Sequence, residues 1–249
     1  MSDSSPIIAL PVAITRTELL HFLEYPPGHQ PPERIEKLAA AVLPEARNLA
    51  DARGCYLELA VERAAEVGLP PVDADGLAIG LVTAGPAIEG RAGELVDAGE
   101  LTRGLIMDAA GSAAAEEAAD RLSAHIVGEG DAGKAEAVSC RLSPGYGTWP
   151  IEAQRKLFPL LPHVELGVAL NESCLMVPRK SISFAMWLGA RGPIGTGIAG
   201  CEGCAHPHCR YRRNRQRQGA ASVESAPSQP SAGGREASDN PHHQGPRAS

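Results

Sequence analysis

The chain has 249 residues, a formal net charge of −7 and 43% hydrophobic residues, enough apolar content for one sizeable core. No apolar run approaches the ~20 residues that cross a bilayer, and the negative body would repel a phosphate backbone, so neither a membrane nor a nucleic-acid partner is expected. The N-terminus, MSDSSPIIALPVAITRTE, lacks the basic flank and long apolar stretch of an export signal, and a cytoplasmic location is expected.

In chain order, IIALP is a short apolar run, after which Thr15 or Thr17 can cap a short helix that ends before PPGHQPPE. Ile35, Leu38, Ala39, Val42, Leu43 and Ala46 recur at helical spacing and predict a helix from Glu33 to about Asp51, bent or split at Pro44 and closed by Gly54. CYLELAVE alternates as a strand does, LPPVDADG reads as a turn region, and Leu77 to Thr83 reads as a second strand. Helices follow. The last, from about Ser112 to Ile126, is rich in Ala, which allows close backbone approach.

VGEGDAGKAEAV is a flexible connection to the loop RLSPGYGTWP, which leads into a short helix with Pro150 at its first position and Thr148 as candidate cap. HVELGVALNESCLMVPRKSISFAMWLGARG reads as a β region, with SISFAMWLG its clearest strand. Beyond Tyr211 large apolar side chains almost vanish, so the tail is expected to be disordered. The expected organisation is residues 1–135 as a helical and mixed N-terminal part, 136–200 as a ligand-binding core, 201–213 as a Cys-rich cluster and 214–249 as the tail.

Gly195 to Gly200, GTGIAG, satisfies G-x-G-x-x-G, but a dinucleotide-binding turn needs a following helix and a second parallel strand, and a Cys cluster comes instead. That cluster, CEGCAHPHC, spaces Cys201, Cys204 and Cys209 as C-x2-C-x4-C with His206 and His208 between the last two thiols. Thiolates at this spacing suit zinc or an iron–sulfur centre, and a group of reduced thiols is the alternative. Cys55, Cys140 and Cys174 stand singly among apolar residues and read as small buried hydrophobes. RYRRNRQRQ is either a solvated basic arm that steers an acidic partner or a nucleic-acid patch.

In RLSPGYG, Pro144 fixes φ, Gly145 and Gly147 permit φ > 0 or close ligand approach, and a turn presents Tyr146 between them. Arg141 adds a planar fork suited to a carboxylate or phosphate. On the loop alone, a small-molecule site and a structural turn stand level.

RLSPGYGTWPIEAQRKLF together with LNESCLMVPRKSISF resembles the reactivation domain of cobalamin-dependent methionine synthase, over about Cys140 to Leu188. The matching residues are Arg141, Pro144, Gly145 and Tyr146, then Leu170, Asn171, Glu172 and Ser173, then Pro178, Ser181, Ile182 and Ser183. A looser match, GSAAAEEAADRLSAHI, looks like the family's preceding helix. The resemblance implies an α+β fold with a curved, mostly antiparallel sheet flanked by helices. It also implies an S-adenosylmethionine site on Arg141, Ser143, Pro144, Gly145, Tyr146, Gly147, Glu172 and Ser173.

The implied activity is that of a free-standing activation component with no catalytic acid or base. It would support reductive methylation of cob(II)alamin carried by a partner methionine synthase that lacks this domain, with a reductant such as a flavodoxin or ferredoxin. The alternative reading makes the Cys cluster an electron-transfer or zinc-bound interaction module for a corrinoid methyltransferase. The chain departs from the family past the Ser-x-Ser strand, where GPIGTGIAGC offers no aromatic residue.

Overall fold

The computed structural model describes residues 6–25, 28–129, 139 and 141–191. Its framework is a four-stranded sheet of β1 (Ile8–Ala9), β2 (Arg53–Leu59), β3 (Gly76–Thr83) and β6 (Ser181–Leu188), in the order β1-β2-β3-β6 and antiparallel throughout. A two-stranded hairpin, β4 (Ala169–Leu170) with β5 (Met176–Val177), precedes β6. The fold is α+β, with helices flanking the sheet.

The two central strands explain the sequence pattern. Seven of the eight residues of β3 are buried, because both faces of the sheet are covered. On one face Ala78 and Val82 meet Phe184 and Met186 of β6 and Ala118, Ala119, Leu122 and Ile126 of the long helix α4 (Leu101–Glu129). On the other, Leu77, Ile79 and Leu81 pack with Ala185, Trp187, Trp149 and Phe158. That second layer is built from a 3-10 helix at Val61–Val67 and from the short helices α5 (Gln154–Leu157) and α6 (His163–Leu166).

The remaining helices wrap the first half of α4. They are α1 (Arg16–Phe22), α2 (Glu33–Leu49) and α3 (Ala87–Asp97), and they share a core of Ile14, Leu19, Val42, Ala46, Ile88, Leu95, Ile106 and Met107. Helix α1 starts as its sequence expects: the Thr15 hydroxyl accepts from the Glu18 N–H, and the Glu18 carboxylate accepts from the Thr15 N–H.

Four local expectations are corrected. Helix α2 is not divided at Pro44, because Pro44 and Ala40 both face solvent and the carbonyl left without a donor can bond water. Gly54 does not close that helix, which ends at Leu49; it lies inside β2, where a Cβ would come within 2.9 Å of Leu10 and Val82. Helix α4 begins at Leu101 and not near Ser112, since its glycines serve packing: a Cβ on Gly104 would sit 2.6 Å from Val96 of α3. Pro150 takes the N-cap of a short 3-10 turn at Ile151–Ala153, so Thr148 is not the cap. The expected disordered tail, the GTGIAG stretch and most of the connection after α4 lie outside the described residues.

Gly80 sets the closest approach in the sheet. It pairs with Phe184, and an added Cβ would stand 2.5 Å from the Phe184 ring. Gly80→Ala should therefore lower stability by about 1–3 kcal/mol in urea titration, whereas Gly93→Ala, on the open face of α3, should raise it by about 0.5–1 kcal/mol.

Cys55 of β2 is fully buried, and that burial, with a smaller contribution from the charge of Glu165, pushes its thiol up to about 12. The thiol stays protonated in the folded chain while an unfolded one ionises at about 8.5. Its contribution to stability is thus complete below that value and is lost as pH climbs from there towards 12. Between pH 9 and 11 the thermal midpoint of Cys55→Ala should fall less than that of the wild type.

Candidate functional site

The segment carrying the RLSPGYG loop runs along the edge of β6 that β3 does not use. Leu142 exchanges both main-chain hydrogen bonds with Ala185, at 2.9 and 2.8 Å, and the Ser139 N–H donates to the Trp187 carbonyl. Antiparallel alternation then turns the N–H and C=O of Ser183 towards the same edge. In continued register they would meet Pro144, which has no N–H to extend the ladder, and the chain leaves the sheet there as a turn.

The turn is tight because of its glycines. Gly145 at φ +94° and Gly147 at φ +59° lie in the left-handed region. The Gly145 N–H donates to the Trp149 carbonyl, the Tyr146 N–H to Ser143, and the Trp149 N–H back to Tyr146. The two aromatic rings divide their roles. Trp149 is buried and its Nε1 donates to the Val67 carbonyl at 3.0 Å, which anchors the loop to the second layer. Tyr146, at the tip, is 53% exposed.

Arg141 turns to the other face of the sheet. Its Nη2 lies 2.9 Å from Glu116 Oε2 and 2.9 Å from Asp120 Oδ1, both on α4, and its Cζ sits 5.8 Å from the Phe184 ring centre. Nη1 is buried without a hydrogen-bond partner among the described residues. Two carboxylates thus share one guanidinium, which retains an unused donor. Glu116 and Asp120 were not singled out from the sequence, although carboxylates at i and i+4 repel on one helix face and invite a nearby cation.

The second segment forms a turn fixed mainly by side chains. Asn171 Oδ1 accepts from the N–H groups of Ser173 and Leu175, and the Asn171 N–H donates to the Leu175 carbonyl. Cys174 is held at φ +60°, a left-handed conformation that costs a residue with a Cβ about 1–2 kcal/mol. Helix α5, which follows the loop, clamps this turn: Arg155 donates to the Glu172 carbonyl and Gln154 Nε2 to the Cys174 carbonyl, the latter at 3.1 Å. Glu172 and Ser173 stand at the exposed top of the turn.

The strand Ser181–Leu188 begins on fixed ground. Ser181 Oγ donates to Pro178 O at 2.8 Å and lies 3.0 Å from Thr83 Oγ1, while Ser183 Oγ lies 3.5 Å from Gln154 Oε1. Just before it, buried Lys180 pairs with Asp108 and Ser112 of α4, and Arg179 pairs with Glu89 of α3. Loop, turn and strand therefore meet around β6 and α5. They do so on two sides: Arg141 joins α4 on one face, while the Glu172–Cys174 turn joins α5 on the other.

Cys55 and Cys174 are buried free thiols, in keeping with small hydrophobes. Cys140, Cys201, Cys204, Cys209, His206 and His208 lie outside the described residues, as does the Arg-rich run. Among the described residues no group of His, Cys, Asp and Glu is arranged to hold a metal, and no helix is long and apolar enough to cross a membrane.

No family model and no curated protein matches the sequence. Among solved structures, a crystal structure of the MetH reactivation domain bound to AdoHcy matches with a TM-score of 0.56 and 14% identity, over 78% of this chain and 82% of that chain. At that identity the likeness is one of fold.

Proposed function

We propose that the chain binds S-adenosylmethionine at the β6 edge and presents its methyl group to cobalamin carried by a partner methionine synthase. The observation that carries this reading is Arg141: a guanidinium largely out of water, fixed by two α4 carboxylates, with one buried donor unused. The amino-acid end of the ligand is a zwitterion. Its carboxylate suits the free Nη1, and its ammonium suits Glu116 and Asp120, so the ligand would extend the ion cluster and satisfy it.

The other groups serve position. The turn at Pro144 to Gly147 brings main chain close to the ligand, with Ser143 at its base, and the exposed Tyr146 ring can close over it. Glu172, beside Ser173 on the α5 face, would add negative charge for the sulfonium of a ligand that crosses the strand edge. No side chain here has to move a proton. The partner's cobalamin, once reduced by a flavodoxin or ferredoxin, would supply the electron pair that takes the methyl group from the sulfonium, leaving S-adenosylhomocysteine. The methyl group would end on the partner's cobalamin, so the reading requires a protein partner.

The fold shared with the MetH reactivation domain supports the reading. So does the meeting of the loop and the strand that carry the resemblance. The cysteine set Cys201, Cys204 and Cys209 is proposed as a separate zinc or iron–sulfur site, told apart by its absorption spectrum.

Calorimetric titration with S-adenosylmethionine tests the site. Wild-type protein should bind, and Arg141→Ala should lose about 1.5–3 kcal/mol of binding free energy, as for a charged hydrogen-bonded pair. Equal binding by both proteins, or no wild-type binding even beside a cobalamin-loaded methionine synthase, would sink the reading.

A further inference from the structure

Gln154 is a primary amide, 3% exposed, set in helix α5 between Ala153 and Leu157 of the apolar layer. Burying an amide is unfavourable unless its groups are hydrogen-bonded, and a Met or Leu would fill the same volume without that demand. Its position therefore calls for a reason beyond packing. Both ends of the amide reach out of its own helix. Nε2 donates to the carbonyl of Cys174 at 3.1 Å, and Oε1 faces the hydroxyl of Ser183 at 3.5 Å.

Those two contacts fall on the two elements that would flank the ligand. Cys174 closes the turn presenting Glu172 and Ser173, and its left-handed φ of +60° persists only if its neighbours over-determine it. Its N–H is held by the Asn171 carbonyl and its own carbonyl by Gln154. Ser183 stands on β6 at the level where the RLSPGYG loop leaves the sheet edge. The other side of α5 is joined to that loop through the short turn at Ile151–Ala153.

We propose that Gln154 is a positioning residue: it locks the Glu172–Ser173 turn to strand β6 and to the helix following the loop, and so sets the geometry of the ligand site. The inference rests on the S-adenosylmethionine reading and goes beyond it, because Gln154 itself touches no proposed ligand group. Removing its amide leaves the Cys174 carbonyl buried and unbonded, and the turn relaxes. The sheet, held by its own ladder, does not.

The test uses the full chain and the variant Gln154→Met, with Gln154→Asn as a second variant that keeps an amide but is too short to reach Cys174. Val42→Ala, in the helical layer away from the site, is the control for general destabilisation. Amide hydrogen exchange is followed by mass spectrometry without ligand, and S-adenosylmethionine affinity by calorimetry. In both Gln154 variants exchange should quicken in peptides covering 170–176 and stay at the wild-type rate in β2 and β3, and Kd should rise roughly tenfold, the scale of one buried hydrogen bond. Val42→Ala should keep the wild-type Kd.

Unchanged exchange at 170–176, or an unchanged Kd in the Gln154 variants while the wild type binds, overturns this inference alone. Wild-type protein that binds no S-adenosylmethionine overturns the functional reading and this inference with it.

Discussion

The pairing of β3 with β6 is the constraint on which the rest depends. Eight consecutive residues on each strand face one another, from Gly76 opposite Leu188 to Thr83 opposite Ser181. The pairing joins parts of the chain separated by the four α-helices α3 to α6 and the whole RLSPGYG segment. It also fixes which way every side chain of β6 points. Ser181, Ser183, Ala185 and Trp187 turn towards the layer holding α5, while Ile182, Phe184, Met186 and Leu188 turn towards α4. A slip of one residue would exchange the two sets and place two serines against the Ala-rich face of α4.

The site follows from that register. Phe184 lies beneath Arg141 because its strand position faces α4, and Gly80 leaves the ring its space. Ser183 meets Gln154 because it points the other way. The loop, the turn and the strand are thus arranged around both faces of one strand edge, with Leu142 tying the loop to it. Charge adds a second constraint. The Glu116–Asp120 pair on α4 is electrostatically viable with Arg141 between its carboxylates, so the helix and the loop are interdependent even without a ligand.

Local features were legible in the sequence and long-range partners were not. The cap at Thr15, one of two candidates with Thr17, and the strands at Gly76–Thr83 and Ser181–Leu188 depend on neighbours a few residues away, and the expected strand boundaries lie within one residue of the observed ones. Helix α4 runs a full eleven residues earlier than its Ala-rich stretch suggests. Gly104 and Gly111 weaken helix propensity, yet tight crossing against Val96, Ile88 and Lys180 requires the missing Cβ atoms. The loop's turn glycines and the grouping of its residues with the Ser-x-Ser strand could be read. The partners of Arg141 could not, because Glu116 and Asp120 reach it only through the fold. Gln154 was hidden for the same reason: a glutamine in a short helix looks like a surface residue until the fold buries it.

The central claim is that loop, turn and strand edge form one ligand site. Two-dimensional NMR of the isotopically labelled chain, titrated with S-adenosylmethionine, tests it most directly. The account predicts amide shifts gathered in 141–147, 171–175 and 181–185, with smaller ones around Glu116 and Asp120 of α4. Shifts confined to another region, such as the exposed Val96, Leu101 and Leu105 at the α3–α4 corner, or an unchanged spectrum at saturating ligand, would contradict it.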